Sequence, residues 1–297
     1  MPHILTLVAP PGALESALVS RCRAALSALG ANPGAPDWLS EGEAVDLPFV
    51  NAPAELAAAA ARTALEGAPV DAIAQPTAGR RKRLLVADMD STIVTTETLD
   101  ELAAYAGLKD QIAAITMQSM RGELDFAQAL HARVGMLAGL DVSALEATWA
   151  ETEMMPGAAT LVATMRADGA VCCLASGGFT FFTGRVAEKL GFDHHVSNIL
   201  LIQDGKLTGK VAEPVFDRNA KLATLTRLAT EGGLPMTATL AVGDGANDLD
   251  MIGAAGLGVA YHAKPIVAAA ARARVDHTDL LALLFAQGFR RAEFRAG

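Results

Sequence analysis

Residues 83–97 read RLLVADMDSTIVTTE. Leu84, Leu85, Val86 and Ala87 form a short continuous apolar run, the pattern of a strand covered on both faces. The run stops at two aspartates one residue apart, Asp88 and Asp90, with Ser91 and Thr92 behind them. A carboxylate at the mouth of a buried strand is costly to desolvate, so it needs a cation, a donor or a role. In an open α/β sheet the carboxyl ends of the strands are where ligands bind. An ordinary strand-to-loop transition with solvated acids is the alternative that this stretch alone leaves open.

Beyond this stretch, strand patterns alternate with helix patterns. Strands are expected at 83–88, 170–176, 237–244 and 258–261, with a short run near Val275; helices are expected around 156–168, 179–190, 219–231 and 247–254. That rhythm predicts an α/β fold with a doubly wound parallel sheet. Residues 97–153 interrupt it with amphipathic helical patterns and no strand, and a helical insertion there would sit over the strand ends as a cap. DGK at 204–206, between NILLIQ and LTGKVAEP, marks a hairpin. Before the first core strand, a β-α-β-α-β rhythm at 3–9, 13–29, 44–50, 53–66 and 69–74 makes a small N-terminal α/β domain, 1–78. The basic stretch QPTAGRRKR at 75–83 reads as a linker into a second domain, 79–297.

Composition narrows the function. The 297 residues carry 24 Lys and Arg against 33 Asp and Glu, a net charge of −9, with no basic stripe. Nucleic acid is therefore not an expected partner, and an anionic substrate would have to be drawn in by a few placed cations. Three cysteines, two of them adjacent in an apolar run, are too few for a disulfide framework and read as small buried hydrophobes. The N-terminus has no basic region ahead of its apolar residues, and no uninterrupted apolar stretch is long enough to span a bilayer. A soluble cytoplasmic protein with no membrane partner is expected.

Three further segments carry polar groups at expected strand ends. ASGGF at 175–179 sets a hydroxyl and two glycines where a helix begins, a plausible phosphate cradle or a mere tight turn. VGDGANDLDM at 242–251 places Asp244 and Asp248 around Asn247. Carboxylate oxygens suit a hard divalent cation such as Mg²⁺, although an N-cap with turn residues has the same look. FDRNAKLATL at 216–225 puts Lys221 on the first turn of a helix, where a lone lysine usually faces solvent.

Taken in order, strand–DxD–S/T, strand–SGG, helix Lys and strand–GDGxND, the sequence resembles the haloacid-dehalogenase-like phosphatase superfamily. The resemblance covers about residues 83–290 and is carried by DMDSTIVTTETLDELA, MRGELDFAQALHARV, MMPGA, LASGGFTFF, NAKL, VGDGANDLDM and DLLALLFAQG. It implies a Rossmann-like core with a helical cap, and Mg²⁺-dependent hydrolysis of a small phosphomonoester. The match is closest to members acting on O-phosphoserine, where the reaction ends serine biosynthesis. On it, Asp88 would be the nucleophile and Asp90 the general acid and base. Asp88, the Asp90 carbonyl and Asp244 would hold the metal, with Asp248 steadying its waters. Ser176, Gly177 and Lys221 would hold phosphoryl oxygens, with Gly178 and Asn247 completing the contacts. Glu97 would take the ammonium of the substrate and Arg133 its carboxylate, with Met120 and Phe126 lining the pocket. Met89 is expected in the core, and His194, His195 and His262 as structural residues.

Other readings stay open at this point. Another phosphoester, or transfer to an acceptor alcohol, would use the same groups. The N-terminal unit resembles, in topology only, small amino-acid-binding regulatory domains of the ACT kind, so a non-catalytic sensor is a further reading. The intact Asp88, Asp90, Lys221 and Asp244 set argues against it, because a sensor needs no nucleophile. A small-molecule substrate and a homodimer complete the expected partners.

Overall fold

A computed structural model describes residues 2–120 and 123–297, with the side chains of 119 and 120 outside that description. Twelve strands lie in the described residues: β1 His3–Val8, β2 Asp37–Ser40, β3 Ala44–Phe49, β4 Asp71–Pro76, β5 Leu84–Ala87, β6 Val171–Phe179, β7 His194–Asn198, β8 Leu200–Gln203, β9 Lys206–Val211, β10 Thr239–Gly243, β11 Leu257–Tyr261 and β12 Ala273–Val275.

The core sheet is β12-β11-β10-β5-β6-β7, parallel throughout. Its strands grow outward in both directions from the pair β5 and β10, which makes the carboxyl end of β5 the topological switch point. The two-residue period of the strands explains why the central strands are apolar on both faces. Leu85 and Ala87 face one helical layer together with Cys172, Leu174, Leu240 and Val242. Leu84 and Val86 face the other with Cys173, Ala175 and Ala241. All of these are essentially inaccessible to solvent.

Between β5 and β6 come the helices Thr98–Tyr105, Lys109–Met120, Phe126–Gly135 and Ser143–Ala150, the expected cap. Its two connections to the core run side by side, with Val94 bridged to Met154 and the Met155 N–H donating to the Ile93 carbonyl. The far end is held by the β8–β9 hairpin. There Gly139 N–H bonds the Leu207 carbonyl, Leu207 N–H bonds the Leu140 carbonyl, and Asp141 bridges Lys206. The hairpin expected at 204–206 thus fastens the cap.

The N-terminal unit is a four-stranded antiparallel sheet, β2-β3-β1-β4, with helices Ser16–Ala28 and Ala54–Leu65. It has one strand more than the sequence rhythm indicated. β2 is a four-residue edge strand, DWLS, too short and too weakly apolar to stand out. The basic stretch 75–83 also differs from a solvated linker. Gln75 and Pro76 belong to β4, and the buried Gln75 side chain donates to the Ala286 carbonyl. The Arg80 guanidinium grips both carboxylate oxygens of Asp46, at 2.6 and 3.0 Å, and also the Phe285 and Ala286 carbonyls. Lys82 is buried, its ammonium spent on the Gly79 and Thr237 carbonyls. Asp71 of β4 accepts from the N–H groups of Asp276, His277 and Thr278 and from the Thr278 hydroxyl. Val8, Leu39, Ala44 and Ile73 pack into the same apolar cluster as Phe285 and Ala286. The unit therefore packs part of its sheet into the larger core while keeping an apolar cluster of its own around Leu5, Leu7, Leu26 and Leu47.

That joint rests on a nearly dry ion pair, since the Arg80 and Asp46 side chains are 15% and 4% exposed. Removing one partner strands the other charge. Arg80→Ala is expected to lower the unfolding free energy by about 3–5 kcal/mol in urea titration of the full chain. A loss below about 1 kcal/mol, the range of an exposed pair, would show that the joint does not depend on it.

Candidate active site

Asp88 directly follows β5, and its N–H still donates to the Val242 carbonyl of β10 at 2.9 Å. The chain then winds tightly: the N–H groups of Thr92, Ile93 and Val94 all converge on the Met89 carbonyl. Met89 is fully buried, as expected of a core residue, and Ser91 takes a left-handed backbone, φ 54°. The result is that Asp88 and Asp90 line one pocket of about 270 Å³ beneath the cap.

Lys221 is the charge paired with Asp88 from behind the lining of this pocket. It sits on the helix Arg218–Glu231, whose first turn is fixed by the Asp217 side chain accepting from the Ala220 N–H. The solvent-facing lysine that helical position suggests is instead wholly inaccessible. Its ammonium lies 2.7 Å from Asp88 Oδ1 and 2.6 Å from Asp248 Oδ1. Burial opposes the charge, but the two carboxylates overcome it and hold Lys221 protonated. The Gly245 N–H donates to Asp248 Oδ2 at 3.0 Å and completes that carboxylate's setting.

Asp244 follows β10, and its Oδ1 accepts from the Thr92 hydroxyl at 3.4 Å. Burial, then the Asp88 and Glu97 charges, push it up to about 6, against the pull of Lys264 and Lys221. Carboxylate oxygens of Asp88, Asp244 and Asp248 all lie within 4.8 Å of one another. Three acids crowded this closely, with one buried lysine among them, are short of positive charge. They are also hard oxygen donors, so the donor set fits a divalent cation such as Mg²⁺.

Asp90 has a different setting. Its Oδ1 accepts from the Thr98 N–H at 2.9 Å and its Oδ2 lies 3.4 Å from the Ser176 hydroxyl. Burial, then Glu97 and Asp88, push it up to about 7, so at neutral pH a proton is available there. Two carboxylates two residues apart are thereby set to different tasks.

The Ser-Gly-Gly segment is not a turn at a helix N-terminus. β6 continues through Ser176, Gly177 and Gly178 to Phe179, with an irregular register against β7, and the helix Thr180–Leu190 begins at once. The glycines are needed for close approach. A Cβ on Gly178 would lie 2.9 Å from Asp90 Oδ2, and one on Gly177 3.1 Å from the Phe126 ring. The Ser176 hydroxyl accepts from the Gly178 N–H at 2.9 Å, which aims it into the pocket floor.

The cap supplies the roof. Phe126 opens a helix fixed by a reciprocal Asp125–Gln128 capping box, and Phe126, Leu130 and Arg133 come down one side of it into the pocket. Arg133 Nε donates to the Ala129 carbonyl, leaving the rest of the guanidinium to the pocket and to the nearby charges of Asp100 and Glu97. Glu97 stands at the rim, held by the Ser91 hydroxyl at 2.9 Å. Asn247 lines the same pocket. Met120 lies outside the described side chains.

Thr116, Leu99 and Lys264 also line the pocket and were not singled out from the sequence. Lys264 had a usable signal, since it stands three residues beyond the end of β11, one more strand end at the switch-point side. The three histidines stand apart: His195 meets the Thr183 hydroxyl, His262 the Thr278 carbonyl, and His194 lies exposed on β7.

The chain is 45% identical over 239 residues to the phosphoserine phosphatase of Streptomyces coelicolor, covering 80% of this chain and 58% of that one. It is 44% identical to the phosphoserine phosphatase of Streptococcus thermophilus, over 68% of this chain and 93% of the relative. The chain thus spans less than two thirds of the longer relatives it matches and nearly all of shorter ones. A crystal structure of a probable phosphoserine phosphatase from Vibrio cholerae superposes with a TM-score of 0.79 at 32% identity, over 98% of this chain and 88% of that one. The family model for haloacid dehalogenase-like hydrolases matches residues 85–253, more than half of the chain, and this protein belongs to that family.

Proposed function

We propose that this protein hydrolyses O-phosphoserine to serine and phosphate through an aspartyl-phosphate on Asp88. The observation that carries the reading is one pocket with two sets of groups. At its floor are a nucleophile-grade carboxylate and a protonatable one, Asp88 and Asp90; at its roof and rim are Arg133 and Glu97. The first pair suits a phosphomonoester, and the second suits the carboxylate and ammonium of an amino acid. The names of the relatives support the same substrate.

Asp88 Oδ attacks phosphorus while the bond to the seryl oxygen breaks, and the Asp90 proton passes to that oxygen. Serine leaves. Water then attacks the acyl phosphate, Asp90 takes its proton, and the bond from phosphorus to Asp88 breaks to restore the carboxylate. Lys221 keeps Asp88 in place and turns its ammonium toward the phosphoryl oxygens, with Ser176 and the Gly177 N–H as further donors. A divalent cation, Mg²⁺ by donor type, would be held by Asp88, the Asp90 carbonyl and Asp244, with Asp248 behind, and would neutralise charge between nucleophile and phosphoryl group. Phe126 and Leu130 exclude water, which strengthens each of these contacts.

Asp88→Asn should lower phosphoserine turnover on the order of 10³–10⁴-fold while urea stability persists, because an amide cannot serve as the nucleophile; near-normal release of phosphate would reduce Asp88 to a ligand. Arg133→Ala should lower kcat/KM for phosphoserine by at least about 30-fold, the low end for truncating one side of a desolvated charge pair, and scarcely change it for para-nitrophenyl phosphate, which has no carboxylate to lose. Equal losses on the two substrates would assign Arg133 to the fold or the phosphate and remove the main support for an amino-acid substrate.

A further inference from the structure

The active-site pocket is lined by four acids, Asp88, Asp90, Glu97 and Asp244; among the described residues, Arg133 and Lys264 are the cationic side chains in that lining. Lys221, behind the lining, is spent on Asp88 and Asp248. Arg133 comes from the cap, gives its Nε to the Ala129 carbonyl and stands under the charges of Asp100 and Glu97. Lys264 has none of these ties. Its side chain is exposed, and its ammonium has no hydrogen-bond or ion-pair partner among the described residues.

This lysine is not one of many on a solvated charged face. Residues 261–271, YHAKPIVAAAA, carry no other Lys, Arg, Asp or Glu. Its backbone is fixed on both sides. After β11 the chain turns back at His262, whose left-handed conformation, φ 42°, is held by its N–H on the Val275 carbonyl at 2.8 Å. The Lys264 N–H then reaches the Asp244 carbonyl at 3.4 Å, and the Lys264 carbonyl accepts from the N–H groups of Val267 and Ala268. The loop after β11 is thus tied to the loop after β10, which delivers the ammonium to the Asp244 side of the pocket. There its charge favours the ionised Asp244 carboxyl, more than that of Lys221 does.

The two ends of a phosphorylated amino acid call for different cations. Its carboxylate suits the planar fork of Arg133 in the cap. Its phosphoryl group carries three strong acceptor oxygens, and Ser176, the Gly177 N–H and Lys221 account for donors from the floor alone. An oxygen turned toward the loop after β10 meets Lys264. A lysine ammonium is a flexible point charge with three donors, which suits a group that arrives as an ester and leaves as inorganic phosphate. In a chain of net charge −9, a cation at the pocket mouth also raises the local concentration of an anion.

We propose that Lys264 is a substrate-binding residue for the phosphate end, its ammonium pairing with an outward phosphoryl oxygen as the ester docks and with inorganic phosphate before it leaves. This assignment, which rests on the proposed function, divides the substrate between two cations, so the Lys264 and Arg133 variants should behave differently. Lys264→Gln should raise KM about fivefold, the upper end for an exposed ion pair, for phosphoserine and para-nitrophenyl phosphate alike, and the loss should shrink as salt is added. Lys264→Arg, which keeps the charge, should restore most of it. In calorimetric titration of the full chain with Mg²⁺ present, Lys264→Gln should weaken inorganic phosphate by the same factor and leave serine unchanged. Undiminished phosphate affinity in Lys264→Gln, a loss confined to phosphoserine, or no recovery in Lys264→Arg would overturn the assignment. So would tighter Mg²⁺ binding in Lys264→Gln with phosphate unchanged, which would show that the charge serves only to temper Asp244. Should neither ester be hydrolysed, the proposed function falls, and the phosphate titration still decides whether Lys264 binds phosphate.

Discussion

The Lys221 ammonium, fully buried between Asp88 and Asp248, is the constraint around which the active site is built. Two carboxylates that close together without a cation would have to give up one charge, and a lysine at that depth without carboxylates would have to give up its own. Each partner then dictates backbone. Asp217 must start the helix that delivers Lys221, and Gly245 must offer its N–H to Asp248. Gly243 can bear no side chain, because a Cβ there would run into the Asp248 carboxylate. The ion triad is therefore also the clamp that sets β5, β10 and the helix Arg218–Glu231 in register at the switch point.

With that triad fixed, the remaining acids fall into place by environment rather than by identity. Asp88 is tied to the lysine. Asp90, a turn away and facing Glu97, keeps a proton to about pH 7. Asp244 is left crowded, with Lys264 and Lys221 near it, and calls for further positive charge. The net charge of −9 makes this local arrangement the more necessary, since the chain as a whole repels an anionic phosphoester. Arg133 brings a compensating charge down from the cap, and the β8–β9 hairpin and the paired connections at Ile93 and Met155 fasten the cap that carries it; under the proposed function, substrate selection would follow cap position.

Much of this was legible in the sequence because strand ends are. The apolar run 84–87 ending at Asp88, and the run ending at Gly243 and Asp244, announce a parallel sheet with acids at its mouth, and periodicity alone places the cap helices. The pieces that were not legible share a physical cause: their roles come from long-range partners. By helical position alone Lys221 reads as a surface lysine, and only the family resemblance drew it to the site; its pairing with Asp88 and Asp248 comes from distant segments. The glycines 177 and 178 read as a phosphate cradle or a tight turn, and the pattern does not show that they are extended and small because Asp90 and Phe126 come so near. The basic stretch 75–83 reads as a linker because its charges are visible and their partners, Asp46 and the 285–286 carbonyls, lie far along the chain. The edge strand Asp37–Ser40 gives too few residues for any period to register.

The central claim is that Asp88 becomes covalently phosphorylated during turnover. Acid quenching of the wild-type protein a few milliseconds after mixing with phosphoserine and Mg²⁺, followed by peptide mass analysis, tests it most directly. The peptide spanning 84–97 is expected to gain the mass of one phosphoryl group at Asp88, and Asp88→Asn to give none. Phosphate release at the normal rate with no such adduct at any quench time, or an adduct on another residue, would contradict it.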